Sequence, residues 1–171
     1  VALIESWTHP RRFRHTNRPD PKSGLDGKFS VQYVLARALI AGLVSLDDFS
    51  EAAVRDPLTR SVMARLRAAS DPDATMETTE HFYARLRLTM RDGTVLEASV
   101  DRPLGRDREH PLPHGVLEAK FRDCAGQALS PAKAEALLDG LRSLEEVPRI
   151  AALSALMERA PAAPPAALRA I

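Results

Sequence analysis

The chain has 171 residues, 24 Lys plus Arg against 23 Asp plus Glu, and a net charge of +1. That balance gives no electrostatic pull toward nucleic acid or an acidic membrane surface, and 44% hydrophobic residues exclude a wholly disordered chain. The single cysteine, Cys124, excludes an internal disulfide, a four-cysteine zinc site and a cysteine-held iron–sulfur cluster.

In chain order, residues 1–14 read as one or two short strands around Trp7 and Phe13, with Pro10 marking a turn or bulge. The start, Val1-Ala2-Leu3-Ile4, has no lead-in and reads as the opening of a fragment of a longer protein. "HTNRPDPKSGLDGKFSVQY", residues 15–33, follows, and is expected to be irregular up to about Gly27. Pro19 and Pro21 oppose a helix, and Gly24 and Gly27 permit positive φ.

Residues 29–43 carry the strongest helical pattern. Val31, Val34, Leu35, Ala38 and Leu39 form one stripe, and Phe29, Tyr33, Ala36 and Ile40 a second on the opposite side. Ser30 suits the N-cap and Gly42 the stop. Two lipophilic sides imply a helix packed between two layers.

Residues 45–50 read as a turn into a short helix. Pro57 after Asp56 opens a helix expected to reach about Ala69, with Val62, Leu66 and Ala69 inward. Residues 70–80 are a polar loop. Residues 82–90 alternate, Asp92-Gly93 signals a hairpin turn, and residues 95–100 return as a strand.

The Pro-rich stretch 101–115 holds a domain boundary. Helices are expected over 116–128, 131–144 and 148–159, the second with Ser130 as N-cap and Pro131 at its first position. The Ala/Pro tail 160–171 is low-complexity. No apolar run approaches a membrane span and no signal peptide is visible, so the chain reads as cytoplasmic, with no membrane or nucleic acid as partner.

No P-loop, GxGxxG, HExxH or nucleophile elbow is present. His110 and His114 are separated by Pro111 and Pro113, which exclude a helix that would align them as metal ligands, so no metal site is expected. Cys124, beside Phe121, reads as a buried structural thiol. Asp47-Asp48 reads as a solvated pair at a helix start, and Arg85 with Arg87 as a solvated strand face. The 15–33 stretch differs. It ties His15, Arg18, Lys28 and Tyr33 together on stiff backbone. Arg and Lys suit carboxylates, and Tyr33 can serve as a general acid. The residues leave a polyanion or carboxylate pocket and a purely structural loop equally open.

The run from His15 to Ser50, with "KFSVQY" and "ARALIAG" at its centre, resembles the MmgE/PrpD family, as do "DGTVLEASVDRPLGRDREHPL" and "LEAKFRDCA" downstream. The resemblance covers nearly all of the chain except the tail. It implies an α+β fold: a small lid-type domain, residues 1–105, with helices and an antiparallel hairpin sheet. A connection, 106–115, leads to C-terminal helices, 116–159, that belong to an all-helical domain, and then to the tail. The N-terminal helical region, which supplies further site residues in that family, lies outside this chain.

The implied function is that of a cofactor-independent hydro-lyase of propionate metabolism, acting on a tricarboxylate such as 2-methylcitrate. A decarboxylase or epimerase of the cis-aconitate or iminodisuccinate type is the alternative. A third reading is a domain or subunit inactive without its N-terminal half. The implied partners are a small carboxylate substrate, that helical half and a second copy in a homodimer. Tyr33 matches the tyrosine of the family's F-S-x-x-Y block and Lys28 the position before it, both read as catalytic. His15 and Arg18 are read as lining the substrate pocket.

Overall fold

The computed structural model describes residues 1–78, 82–113 and 115–158. Two compact units emerge, Val1–Leu112 and Pro113–Ile171. The fold is α+β, with eight helices and one four-stranded mixed sheet among the described residues.

The first unit opens with β1 (Leu3–Thr8), whose alternation buries Ile4 and Ser6. Residues expected to continue as strand instead form α1 (Pro10–Thr16). Pro10 is the reason: it stands at the first helical position, where its missing N–H is harmless, and His9 Nδ1 caps the turn by accepting the Arg11 N–H at 3.0 Å. Within the stretch expected to be irregular, Ser23 caps a five-residue helix, α2 (Gly24–Lys28).

The long helix α3 (Val31–Ala41) has the two expected ends. Ser30 Oγ accepts the Tyr33 N–H at 3.1 Å, and Gly42 takes φ +80°. Both sides were expected to be covered, and they are covered unequally. The fuller stripe stays half-buried, with Leu39 exposed, while Tyr33, Ala36 and the polar Gln32 face inward. Tyr33, Ala36, Val54 and Met63 form a core cluster, with Phe49 and Val62 packed against it. The outer helices that close this core are α4 (Glu51–Arg55), capped by Ser50, and α5 (Pro57–Met63), capped by Asp56. A 3-10 turn at Asp47–Phe49 precedes them.

The helix from Pro57 ends at Met63 rather than near Ala69. Leu66–Ser70 is instead a strand, β2, parallel to β1 with Ile4 opposite Leu66. Parallel pairing to β1 satisfies this backbone and overrides the helical preference of Leu-Arg-Ala-Ala. The hairpin is as expected: β3 (Ala84–Thr89) and β4 (Val95–Val100) pair antiparallel through a turn with Gly93 at φ +86°. β3 also pairs antiparallel with β1, giving the order β2-β1-β3-β4. The hairpin therefore belongs to a mixed sheet. Every residue of β4 is exposed.

The second unit contains α6 (Val116–Gly126), α7 (Pro131–Arg142) and α8 (Ile150–Leu156). Ala134, Leu137 and Leu138 of α7 and Leu153 of α8 are buried. Arg122 grips Glu135 through two hydrogen bonds, of 2.6 and 3.0 Å, and so ties α6 to α7. Cys124 is exposed, contrary to the buried thiol expected: α6 is barely covered, and only Glu118, Phe121 and Ala125 within it are half-buried. The tail lies outside the described residues. No described helix is long and apolar enough to cross a membrane.

Candidate active site

The stretch before α3 is a built loop. Pro21 is fully buried. Arg60 of α5 reaches across to it, donating to the Pro21 carbonyl and, at 2.9 Å, to Asp20. Ser30 Oγ donates to the Arg18 carbonyl at 2.6 Å, and Gln32 Nε2 to Asn17 Oδ1 at 2.7 Å. The Gly24 N–H donates to Glu51 Oε1 at 3.3 Å. The loop's polar groups are largely spent on the fold.

The four residues singled out in the sequence have different surroundings. His15 is exposed in the last turn of α1. Arg18 donates to Asp26 Oδ1 at 3.1 Å and lies 5.5 Å from the Phe29 ring centre. Asp26 is itself held below the usual carboxylate range by the Lys22 N–H, the Ser23 hydroxyl and Arg18. Lys28 is exposed at the end of α2, its Nζ 5.7 Å from the centre of the Phe49 ring. Tyr33 packs on the same Phe49, ring centres 6.0 Å apart, so Phe49 is the element that Lys28 and Tyr33 share.

Tyr33 is fully buried, and its hydroxyl donates to the backbone carbonyl of Asp48. Burial raises its pKa, so the phenol stays protonated throughout the neutral range. Its proton is engaged in this arrangement.

Asp48 was expected to be solvated but is buried. Arg37, eleven residues earlier, donates to its Oδ1 from Nε at 2.8 Å and from Nη2. The Ser45 N–H donates to Oδ2 at 2.7 Å. Arg37 also reaches the fully buried Thr59 hydroxyl at 3.2 Å. Burial alone would raise the Asp48 pKa, but the Ser45 N–H and the Arg37 guanidinium outweigh it and hold the carboxyl below its ordinary value. No sequence motif marks this pair, because its members meet only through the tertiary fold. Arg85 also departs from a purely solvated face: it pairs with buried Asp71, which accepts a hydrogen bond from Tyr83 as well.

Among the described residues no three His, Cys, Asp or Glu side chains cluster as metal ligands. His110 Nδ1 lies 2.8 Å from Asp107 Oδ1, and His114 falls outside the described residues.

A sequence profile described as the MmgE/PrpD C-terminal domain matches residues 1–146. The chain belongs to the MmgE/PrpD family. The MmgE/PrpD chain is 28% identical over 145 residues to a protein named cis-aconitate decarboxylase from Homo sapiens, which covers 85% of this chain and 30% of that protein. It is 29% identical over 146 residues to one named 2-methylcitrate dehydratase from Cupriavidus necator, covering 81% and 30%. A cis-aconitate decarboxylase from Aspergillus terreus is 28% identical over 141 residues, covering 80% and 28%. The chain thus spans under a third of the length of these relatives.

Proposed function

We propose that this chain is the C-terminal, lid-type part of a lyase acting on a tricarboxylate such as 2-methylcitrate. The family match over residues 1–146 carries the reading, supported by a relative named 2-methylcitrate dehydratase. In the proposed reaction a base removes the proton next to a carboxylate. The electron pair builds enolate-like charge, the carbon–oxygen bond breaks, and the leaving hydroxyl takes a proton to depart as water. Cations stabilise the developing charge, and the exposed Lys28, Arg18 and His15 supply them from this chain. Tyr33 keeps its phenolic proton at neutral pH, as a proton donor must. It acts once its bond to the Asp48 carbonyl opens, and the base comes from the N-terminal helical half. No cofactor is required. In this reading the enzyme is a cytoplasmic homodimer, and this chain alone is inactive because the N-terminal helical half supplies the rest of the site.

A decarboxylase is the second reading, favoured by relatives from human, mouse and Aspergillus named cis-aconitate decarboxylase. An epimerase of the iminodisuccinate type shares the same proton-abstraction step. Assaying the full-length enzyme on 2-methylcitrate, cis-aconitate and iminodisuccinate separates the three. In that enzyme Tyr33→Phe should lower kcat at least roughly tenfold, and unchanged kcat and KM would remove Tyr33 from the chemistry.

A further inference from the structure

A second feature of the first unit lies on the other side of the KFSVQY block from Tyr33. A pocket of about 380 Å³ has Phe29, Val31, Val34 and Leu35 as an apolar wall, with Phe82 beside them. Its polar lining includes Thr8, Arg12, Lys28 and Tyr83. The pocket forms because Pro10 opens a helix where a strand was expected, turning Arg12 toward the half-buried stripe of α3.

Three observations bear on what it takes. First, two polar atoms of its lining residues, Thr8 Oγ1 and Arg12 Nε, are buried with no hydrogen-bond partner among the described residues. A buried donor left so costs about 1–3 kcal/mol, and a ligand that accepts from it recovers that loss. Second, no acidic side chain lines the pocket among the described residues. The clefts elsewhere on this unit differ: Asp73 and Glu97 offset Arg85 and Arg87 in one, and Asp20 offsets Arg60 in the other. Third, Phe82 carries two guanidiniums, Arg12 at 4.0 Å and Arg106 at 3.5 Å from the ring centre. That stacking holds the Arg12 fork in one plane and adds positive potential.

We propose that this pocket binds a carboxylate borne on a short hydrocarbon body, with Arg12 as the bidentate fork and Lys28 as the second charge. Planar, two-pronged recognition is what a guanidinium offers a carboxylate, and the wall of Phe29, Val31, Val34 and Leu35 covers the carbon chain. The inference rests on the lyase reading for the chemical class of the ligand, not for a place beside Tyr33. It adds Arg12 and Thr8, which the family resemblance did not point to, as residues that position it.

The test uses the 171-residue chain titrated with propane-1,2,3-tricarboxylate and, separately, with inorganic phosphate, followed by calorimetry. The tricarboxylate should bind saturably and more tightly than phosphate. Arg12→Gln and Lys28→Gln should each weaken it roughly tenfold, the worth of one charge-assisted hydrogen bond. Arg12→Lys, which keeps the charge and loses the fork, should fall between, and Arg55→Gln on exposed α4 should change nothing. Should Arg12→Gln melt early, Lys28→Gln decides, since that side chain is exposed. Absence of saturable binding, or binding insensitive to both substitutions, overturns the inference. Phosphate bound as tightly overturns the hydrocarbon-bearing ligand. The two readings fail separately. A full-length enzyme that turns over 2-methylcitrate, while this chain binds no tricarboxylate through Arg12, sinks the pocket alone. Tricarboxylate binding by this chain with no lyase activity in the full-length enzyme sinks the reaction alone.

Discussion

Arg37 donates to Asp48 Oδ1 from both Nε and Nη2, while the backbone carbonyl of the same Asp48 receives the Tyr33 hydroxyl. One residue thus anchors both a buried ion pair and the buried phenol. Asp48→Ala removes the partner of a largely buried guanidinium, leaving it, among the described residues, Thr59 and, at 3.8 Å, Asp56. Loss of one member of such a pair costs about 3 kcal/mol or more. Urea denaturation should show that loss for Asp48→Ala and a much smaller one for its exposed neighbour Asp47→Ala.

The same pair sets an acid limit. Asp48 is held below its ordinary carboxyl value of 3.8, because the Ser45 N–H and Arg37 overcome the effect of burial. As pH falls the unfolded chain takes up the proton first. The stabilisation is therefore whole above about pH 4 and drains as pH drops through and below that value. Asp48→Asn should flatten the acid limb of a plot of Tm against pH; an unaltered limb would assign it to other carboxylates.

Tyrosine ionisation gives the opposite limb. The chain has two tyrosines, and both are shifted upward. Tyr83 is pushed up to about 12 by burial and by its hydrogen bond to Asp71. The folded phenol keeps its proton where the unfolded one has lost it, so this stabilisation is complete below about pH 10 and declines as pH rises toward 12. Phenolate absorbance of the native chain should stay flat through the ordinary tyrosine range; a native titration centred there contradicts the burial of both rings.

Gly24 is required by close approach. A Cβ at that position would stand 1.8 Å from the Phe49 carbonyl oxygen, which is backbone and cannot swing aside. Gly24→Ala should destabilise the first unit by about 2 kcal/mol or more. Gly126→Ala, with open space around it, should be neutral or slightly stabilising.

What was legible in the sequence was local. Ser30 and Gly42 delimit α3, Ser130 and Pro131 open α7, and Asp92-Gly93 turns the hairpin, each through chemistry confined to a few neighbouring residues. The misreadings depended on distant partners. Leu66–Ser70 is a strand because β1 lies beside it, and no property of Leu-Arg-Ala-Ala announces that. Full burial on α3 falls to the sparser stripe, where the other helices meet it at Tyr33 and Ala36, and the residue pattern had not ranked the two sides. The candidate site divides the same way. Lys28 and Tyr33 were visible as residues of a motif. Arg12 was not, because its place beside Phe82 depends on a helix opened by Pro10 and on contact with a residue far along the chain.

The strand order also has a consequence in time. β1 is first in sequence yet central in the sheet: Ile4 faces Leu66 on one side and Leu88 on the other. Of its partners among the described strands, β2 emerges first on a growing chain and β3 follows, so one edge waits for each in turn. Such high contact order slows folding. The hairpin of β3 and β4, closed by a short local turn, is the piece able to form early and to serve as the template on which β1 is captured.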